Sequence, residues 1–480
     1  MAAARDKVEL AVVGAGPGGY AAAFLAADLG MEVALIDEEA DPGGVCLYRG
    51  CIPSKALLHA AKVIGEARGA AAFGVEFGAP AIDLAKLRGW KDGVVAKLTR
   101  GLGELGRKRK VRFVRGRARF LDAAALEVRG PDGGRDELAF GHAIVATGSR
   151  PAALAMMPAG SRRVMDSTAA LGLDEAEVPR RLLVIGGGYI GLELGTVYAA
   201  LGSEVTVVEM MPGLLPGVDA DLVRPLARRL ERELKRVFVE TKVAEAKETA
   251  DGIRVRLEGK GIGDADAEQV FDRVLVAVGR RPNSGDLGLE RTRVEVGARG
   301  FVAVNAERRT AEPAIFAIWD VAGEPMLAHK ASHDGRVAVE AIAGRKVAFE
   351  PAAIPAVVFT EPEIAWCGLT EAEAAARGRA VEVTRFPWSA SGRAATLGAA
   401  EGVTKLVIDP ASERVLGVGI CGTGAGELIA EGVLAVEMGA VASDLALSIH
   451  AHPTLCETLM EAAGSALGHA THLYRPRPKA

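Results

Sequence analysis

Two segments of the chain show the same order of apolar and small residues. In the first, an apolar run of strand length at residues 8–13 leads into a glycine-rich turn and an alanine-rich helical stretch, and a second apolar run ends at Asp37. In the second, residues 182–185 lead into another glycine-rich turn, and the apolar run at residues 205–208 ends at Glu209. Short apolar runs bounded by turn residues are typical of buried strands. The pattern predicts two α/β units, each built as strand, helix and strand.

The glycine-rich turn of each unit has the spacing of a dinucleotide-binding fingerprint. Three glycines mark each turn, namely Gly14, Gly16 and Gly19 in the first and Gly186, Gly188 and Gly191 in the second. The first glycine permits a tight turn, the second lets the backbone approach a pyrophosphate, and the third allows close packing of the helix. Asp37 and Glu209 stand where a carboxylate would hold ribose hydroxyls. The chain is therefore predicted to bind two dinucleotides.

The remaining pattern predicts how the domains follow one another. Each unit ends in an apolar strand and a turn of similar sequence, at residues 144–151 and 275–282, which we interpret as crossings between two nucleotide domains. From about Pro351 alternating apolar segments and helices such as residues 425–438 are typical of an α+β module. The predicted fold is α/β, with two Rossmann-like domains and a C-terminal α+β domain. The predicted boundaries are 1–150, 151–278, 279–350 (rejoining the first domain) and 351–480.

Composition and charge narrow the class of protein. A chain of 480 residues is long enough for about three domains. Its net charge of −4 gives no reason to expect nucleic acid or an anionic membrane as partner. Five cysteines are too few for a secreted disulfide framework, so a cytoplasmic location is expected, without a targeting segment or membrane span. Residues 475–480 have the composition of a mobile end.

The strongest candidate for a reactive site is residues 43–55. In this segment glycines flank two cysteines, Cys46 and Cys51, and an apolar run compatible with a helix follows. A helix N-terminus lowers the pKa of a thiol and favours the thiolate that carries disulfide exchange. A structural disulfide or half of a metal site are the alternatives, but neither a second cysteine pair nor a suitably spaced histidine pair accompanies these two. We interpret them as a redox-active dithiol and predict no metal site.

A second candidate group lies near the C-terminus, where His450 and His452 precede Glu457. Histidine is suited to proton transfer at neutral pH, and a carboxylate on its second nitrogen fixes the tautomer and raises the basicity. His452 and Glu457 are the predicted pair. Taken alone, the segment would favour the alternative of two hydrogen-bonded histidines in a loop.

These motifs together resemble the flavoprotein disulfide reductases, and the whole chain is similar to the dihydrolipoamide dehydrogenases among them. Residues 43–55 match the pattern GGxCxxxGCxPSK, and residues 452–454 match the HPT motif of the family. The resemblance implies FAD in the first unit, beside the dithiol, and a nicotinamide in the second. Glu209 would repel a 2′-phosphate and is followed by methionines rather than arginines, which favours NAD; a downstream arginine leaves NADP as the alternative.

The resemblance also implies the roles of six residues in the oxidation of dihydrolipoamide. These are Cys46, the exposed sulfur that exchanges with substrate; Cys51, the electron donor to the flavin; His452 and Glu457, the proton-transferring pair; and Lys55 with its partner Glu193 beside the flavin. In the family this histidine faces the dithiol of the other subunit. A homodimer is therefore predicted, joined through the C-terminal domain.

Further cofactor contacts follow from the same resemblance. They are Thr147, Gly148, Asp320 and Ala328 for FAD, and Gly279 for NAD. One position departs from the family pattern, because Trp319 stands where relatives carry a glycine that serves close backbone approach. This substitution predicts weaker or altered retention of FAD. Tyr189, where many relatives have a smaller residue, is hypothesised to cover the nicotinamide pocket.

The expected partners are lipoyl domains and the acyltransferase core of a 2-oxoacid dehydrogenase complex. Two related enzymes fit less well: glutathione reductase, because arginines are missing after Glu209, and mercuric reductase, because the tail lacks a cysteine pair. A flavoprotein subunit with a mainly architectural role is the alternative from a different class.

Overall fold

A computed structural model describes residues 6–174 and 176–474, so the tail predicted to be mobile lies outside the described residues. The chain forms three large β-sheets with helices packed on them. The strands are β1 Asp6–Val13, β2 Val33–Asp37, β3 Arg112–Arg115, β4 Arg117–Phe120, β5 Ala125–Arg129, β6 Arg135–Val145, β7 Ser149–Pro151, β8 Val164–Met165, β9 Arg181–Ile185, β10 Glu204–Val208, β11 Arg236–Phe238, β12 Thr241–Thr249, β13 Gly252–Gly259, β14 Glu268–Phe271, β15 Arg273–Val276, β16 Arg280–Pro282, β17 Ile315–Ala317, β18 Ala356–Val358, β19 Ile364–Gly368, β20 Glu382–Pro387, β21 Val403–Ile408 and β22 Val415–Cys421.

Helices connect these strands and cover the sheets. The α-helices are α1 Pro17–Asp28, α2 Gly44–Arg49, α3 Cys51–Gly69, α4 Leu84–Lys108, α5 Ser167–Gly172, α6 Tyr189–Leu201, α7 Ala220–Glu233, α8 Asp264–Ala267, α9 Ala328–Ile342, α10 Glu371–Ala376, α11 Gly392–Thr396, α12 Ala425–Met438, α13 Ala442–Leu447 and α14 Glu457–Ala466. Short 3-10 helices lie at Ala70–Phe73, Leu289–Arg291, Trp319–Val321 and Trp388–Ala390. Within the described ranges, no helix combines the length and apolar character needed to cross a membrane.

The first sheet has the strand order β3-β2-β1-β6-β5-β4, with β17 beside β6. Strands β1, β2, β3, β17 and the end of β6 run parallel, as strands joined by helices do. Side chains of β1 alternate between two cores: Val8, Ala11 and Val13 face one, while Leu10 and Val12 face the other. Burial on both faces explains the uninterrupted apolar run in the sequence.

The second sheet repeats this design and connects to the first through two short strands. Its strands follow the order β11-β10-β9-β15-β8, and all four neighbouring pairs are parallel. A small antiparallel sheet of β12, β13 and β14 accompanies it. Strands β7 and β16 pair antiparallel, with Arg280 opposite Pro151. These are the two segments that the sequence indicated as crossings.

The third sheet is antiparallel, in the order β18-β19-β22-β21-β20, with α12 and α14 packed on it. Lys405 of this sheet is buried and donates to Asp219 at 2.6 Å, Asp221 at 2.8 Å and Glu371 at 2.8 Å, which ties it to the segment that begins α7. The predicted fold class, two dinucleotide-binding units and an α+β domain, is confirmed.

Candidate active site

The two glycine fingerprints have matching geometry where strand, turn and helix meet. Gly14 and Gly186 have φ angles of +101° and +112°, which only glycine adopts without strain. A Cβ atom on either would lie 2.4 Å from a carbonyl oxygen of the neighbouring strand's end. A Cβ atom on Gly19 or Gly191 would lie 1.8 or 2.1 Å from the carbonyl oxygen of Gly14 or Gly186. These positions therefore fit the roles of tight turn and close helix packing.

The acidic residue at the end of each second strand holds the fingerprint loop. Asp37 accepts a hydrogen bond from the backbone N–H of Ala15 at 2.6 Å, and Glu209 accepts one from Gly187 at 2.7 Å. The other oxygen of Glu209 accepts from the N–H of Met211 at 2.7 Å. Both carboxylates thus lie beside the glycine turns, at the place where a ribose would bind.

The FAD-binding unit (the FAD half) and the NAD-binding unit (the nicotinamide half) differ at the glycines beside which a ligand would bind. A Cβ atom on Gly188 or Gly279, in the nicotinamide half, would have no atom within 4 Å. In the FAD half, a Cβ atom on Gly16 would lie 2.2 Å from the indole of Trp319, and one on Gly148 would lie 3.0 Å from it. The residues of the NAD site therefore fit a dinucleotide, while the FAD site fits one except where Trp319 lies.

Asp320 supports the assignment of the first unit to a cofactor with hydroxyl groups. Its side chain is buried, one oxygen accepts a hydrogen bond from Ser149, and the other has no hydrogen-bond partner among the described residues. Burial raises the pKa of Asp320. A buried acceptor of this kind normally has a partner, and a ribityl hydroxyl is a suitable one.

The predicted dithiol lies at the junction of two helices. Cys46 is in α2, Cys51 is the first residue of α3, and both are free thiols. The pKa of Cys51 is lowered to about 7, first because the thiol of Cys46 donates a hydrogen bond to it and also because Lys55 lies nearby. That hydrogen bond, together with burial, raises the pKa of Cys46. Cys51 is therefore the more acidic thiol of the pair, which is compatible with its predicted role as electron donor.

The expectation that Cys46 is the exposed sulfur is wrong for the isolated chain. Cys46 is buried and Cys51 is exposed. The reason lies in their positions: Cys46 lies within α2 and is among its buried residues, whereas Cys51 is the first residue of α3; both line one pocket. The exchange role of Cys46 stays a prediction.

A pocket with a cavity volume of about 110 Å³ brings together residues from both nucleotide-binding units. Those predicted from sequence that line it are Cys46, Cys51, Lys55, Glu193, Asp320 and Ala328. Ala328 is the first residue of α9, and Tyr189, the first residue of α6, also lines the pocket. The dithiol, three of the proposed flavin contacts (Lys55, Asp320 and Ala328) and the start of the nicotinamide-side helix thus share one cavity.

Lys55 and Glu193 form an ion pair at this pocket. The Nζ atom of Lys55 lies 2.8 Å from Oε2 of Glu193, whose side chain is only 3% exposed. The hydroxyl of Ser54 donates to the same oxygen at 3.0 Å, and the backbone N–H of Phe359 donates to Oε1 at 3.0 Å. The lysine also lies 4.5 Å from the centroid of the Phe359 ring. These contacts hold a cation one helical turn from Cys51.

Replacing Lys55 with methionine is expected to raise the pKa of Cys51 above its value of about 7, because the variant loses the nearby positive charge. The measurement is the rate of alkylation of Cys51 in the reduced protein, followed by mass spectrometry between pH 5 and pH 10. The midpoint of its pH dependence should lie at higher pH in Lys55→Met than in the wild type. Lys62→Met is the matched control, since Lys62 lies on the same helix but pairs with Glu361 at 3.5 Å. Coincident titrations of wild type and Lys55→Met would contradict this account.

His452 and Glu457 are in contact, as predicted. Nδ1 of His452 lies 2.9 Å from Glu457, and the N–H of Thr454 donates to the other carboxylate oxygen at 2.8 Å. Burial acts to raise the pKa of Glu457, but the hydrogen bonds from Thr454 and His452 outweigh it and lower this pKa. The side chain of His452 is 73% exposed and is not part of the pocket lining. His450 instead pairs with Glu431 at 2.8 Å.

Sequence reasoning missed several residues that support the site. Arg280 donates two hydrogen bonds of 2.7 Å to Ser149, which in turn contacts Asp320. Asn283 donates to the carbonyl oxygen of Thr147 at 3.0 Å, and the Thr147 hydroxyl donates to the carbonyl of Asn283 at 2.7 Å. These residues lie in or next to the crossing strands β7 and β16. Their closeness in sequence to Gly148 and Gly279 is the feature from which they could have been predicted.

Comparison with known proteins gives a consistent result. Residues 8–335 match the family described as pyridine nucleotide-disulphide oxidoreductase, and residues 354–463 match its dimerisation domain. The chain is 49% identical to the dihydrolipoyl dehydrogenase of Haemophilus influenzae, covering 98% of both chains. It is also 49% identical to that of Thermus scotoductus, covering 97% of this chain and 98% of the relative.

Solved structures resemble this one over nearly their whole length. LpdA from Mycobacterium tuberculosis has a TM-score of 0.88 at 26% identity, covering 96% of this chain and 100% of its own. The HOCl-induced flavoprotein disulfide reductase RclA from Escherichia coli has a TM-score of 0.83 at 26% identity, covering 95% and 99%. The similarity therefore includes both nucleotide-binding units and the third sheet.

Proposed function

Because this chain belongs to the pyridine nucleotide-disulphide oxidoreductases, we propose that it is a dihydrolipoyl dehydrogenase, which oxidises dihydrolipoamide to lipoamide and reduces NAD⁺ to NADH. The observation that carries the proposal is the pocket that joins a dithiol, with its lowered Cys51 pKa, to two dinucleotide folds. A protein built for only one cofactor would not need the second fingerprint.

The dithiol residues perform the exchange with substrate. In the oxidised enzyme, a substrate thiolate attacks the Cys46 sulfur of the Cys46–Cys51 disulfide; a mixed disulfide forms and Cys51 leaves as a thiolate. The second substrate thiol then attacks the substrate sulfur bound to Cys46, which releases lipoamide and a reduced dithiol. The low pKa of Cys51 makes it a good leaving group. Two electrons and two protons thus pass from the substrate to the enzyme.

His452 takes the proton that must leave the substrate thiol. Its Nδ1 is bound to Glu457, so its Nε2 is the free atom that can accept a proton. The carboxylate also stabilises the imidazolium that forms. Because His452 is exposed and does not line the pocket of its own chain, we infer that it serves the pocket of a second copy in a homodimer joined through the dimerisation domain.

The cofactors are FAD and NAD. The FAD contacts are proposed to be Gly14, Gly16, Gly19, Asp37, Lys55, Thr147, Gly148, Asp320 and Ala328. The NAD contacts are proposed to be Gly186, Gly188, Gly191, Glu209 and Gly279. The chemistry that FAD supplies when bound is the conversion of two thiol electrons into a hydride that a nicotinamide accepts. The cation of Lys55, held by Glu193, would stabilise negative charge on such a ring.

The domain boundaries and partners are part of the same proposal. The boundaries 1–150, 151–278, 279–350 and 351–480 are supported by β17, which lies in the third segment and pairs with β6 of the first. The proposed partners are lipoyl domains and the acyltransferase core of a 2-oxoacid dehydrogenase complex, in the cytoplasm. The name of the relatives, dihydrolipoyl dehydrogenase, supports a dihydrolipoyl group as the substrate that such a partner would carry.

The proposed activity is tested by supplying FAD-loaded protein with dihydrolipoamide and NAD⁺, and following NADH by absorbance. Parallel samples contain NADP⁺, or oxidised glutathione with NADPH. The expected result is NADH formation, with little reaction in the other two, because Glu209 is buried beside the turn where a 2′-phosphate would lie. A folded, FAD-loaded protein without dihydrolipoamide turnover would overturn the proposal and favour the architectural alternative.

A further inference from the structure

One aromatic side chain distinguishes the FAD half from the nicotinamide half. The indole of Trp319 has ring atoms 2.2 and 2.5 Å from where a Cβ atom of Gly16 would be, and 3.0 Å from that of Gly148. The equivalent glycines of the other half, Gly188 and Gly279, would meet no atom within 4 Å. The first and third glycines of the two fingerprints have matching geometry. The nicotinamide half therefore shows what a dinucleotide site without an obstructing side chain looks like in this chain.

The space beside Gly16 is the space that a dinucleotide needs. The second glycine of this fingerprint lacks a side chain so that the backbone can approach the pyrophosphate, which lies at the helix N-terminus. Gly16 is the N-cap residue of α1. An indole packed against Gly16 would take space that a pyrophosphate needs, so the ring and a bound dinucleotide would exclude each other.

The backbone at Trp319 is fixed by buried polar contacts. Trp319 has a φ angle of +69°, in the left-handed region that a bulky residue rarely adopts. Its N–H donates to Asp334 at 3.1 Å, and Asp334, which is fully buried, lies 2.8 Å from Lys330 and 3.1 Å from Arg308. The Trp319 side chain is 7% exposed and belongs to the apolar core under the first sheet. Trp319 also lines the pocket that contains the dithiol, so the side chain has open space on that side while the turn stays in place.

We propose that Trp319 is a plug of the FAD cradle: the apoprotein folds with the indole against Gly16 and Gly148, and FAD binds only after the indole rotates away. The inference rests on the proposed function in so far as FAD is the cofactor of this half. Two consequences follow. Flavin is bound weakly and exchanges readily, and its binding passes through an opening step that the NAD site does not have.

The test compares FAD binding by apoprotein of the wild type, Trp319→Gly and Trp319→Ala, using titration calorimetry and stopped-flow fluorescence. Glycine removes the ring and relieves the positive φ angle, whereas alanine removes the ring only. Both variants are expected to bind FAD at least tenfold more tightly, or about 1.4 kcal/mol. The observed binding rate should level off with FAD concentration in the wild type and rise linearly in both variants.

Two controls keep the result interpretable. Trp90→Phe changes an exposed tryptophan of α4 and should leave FAD affinity unchanged. Binding of NAD should be equal in all four proteins, which reports that each is folded. Equal FAD affinity in wild type and both Trp319 variants, or no FAD binding by any of them, would overturn the plug. Tighter FAD binding without dihydrolipoamide turnover would support the plug and overturn only the proposed reaction.

Discussion

Replacement of Cys46 by serine is expected to abolish NAD⁺ reduction by dihydrolipoamide, with a loss of at least ~10³-fold in kcat/KM, the scale seen when a nucleophilic centre is removed. Serine cannot form the disulfide with Cys51 or the mixed disulfide with substrate, so neither bond exchange can occur. The loss would be measured as the initial rate of NADH formation from dihydrolipoamide on FAD-loaded protein.

A second reaction separates this loss from a general failure of the enzyme. NADH oxidation with ferricyanide as acceptor does not need the dithiol, so it should persist in Cys46→Ser. Cys367→Ala is the control for removal of a thiol, because Cys367 is buried in the third domain and burial raises its pKa to about 12. Retention of more than a tenth of the dihydrolipoamide activity by Cys46→Ser would contradict the assignment.

Replacement of His452 by glutamine is expected to lower kcat/KM for dihydrolipoamide by about 10² to 10⁴-fold, the usual contribution of a general base. Glutamine can still contact Glu457 but cannot take a proton. The substrate thiol must then ionise in solution, so the activity of the variant should rise with pH toward the pKa of the substrate thiol. The measurement is kcat/KM between pH 6 and pH 9.

His450→Gln is the matched control, because His450 is two residues away but pairs with Glu431. It should lose far less activity than His452→Gln and keep the pH profile of the wild type. The role of His452 as base would be wrong if both variants lost the same activity, or if the profile of His452→Gln matched that of the wild type.

The elements that local pattern encodes could be predicted from sequence. Residues 425–438 form the expected helix, and β9 and β10 begin one residue before the apolar runs that predicted them. The turn glycines could be predicted because residues other than glycine rarely adopt the φ angles of Gly14 and Gly186, +101° and +112°. The contact of His452 with Glu457 could be predicted too, since Glu457 follows His452 by only five positions and begins a helix.

Other features depend on contacts between distant segments. The N–H of Phe359 donates to Glu193 across 166 positions, and no local pattern indicates that pairing. The exposures of Cys46 and Cys51 depend on how α2 packs against its neighbours. The sequence indicated that Trp319 departs from the family pattern, but the packing of its ring against Gly16 and Gly148 joins three distant segments and has no local signal.

The most direct test of the account is whether one active site uses residues of two chains. Cys46→Ser and His452→Gln chains would be co-expressed with different tags, and the mixed dimer purified through both. If the histidine serves the other chain's dithiol, one site of the mixed dimer keeps both Cys46 and His452, and roughly half of the wild-type activity should return. If each chain used its own histidine, both sites would lack a residue, and a mixed dimer as inactive as its parents would contradict the account.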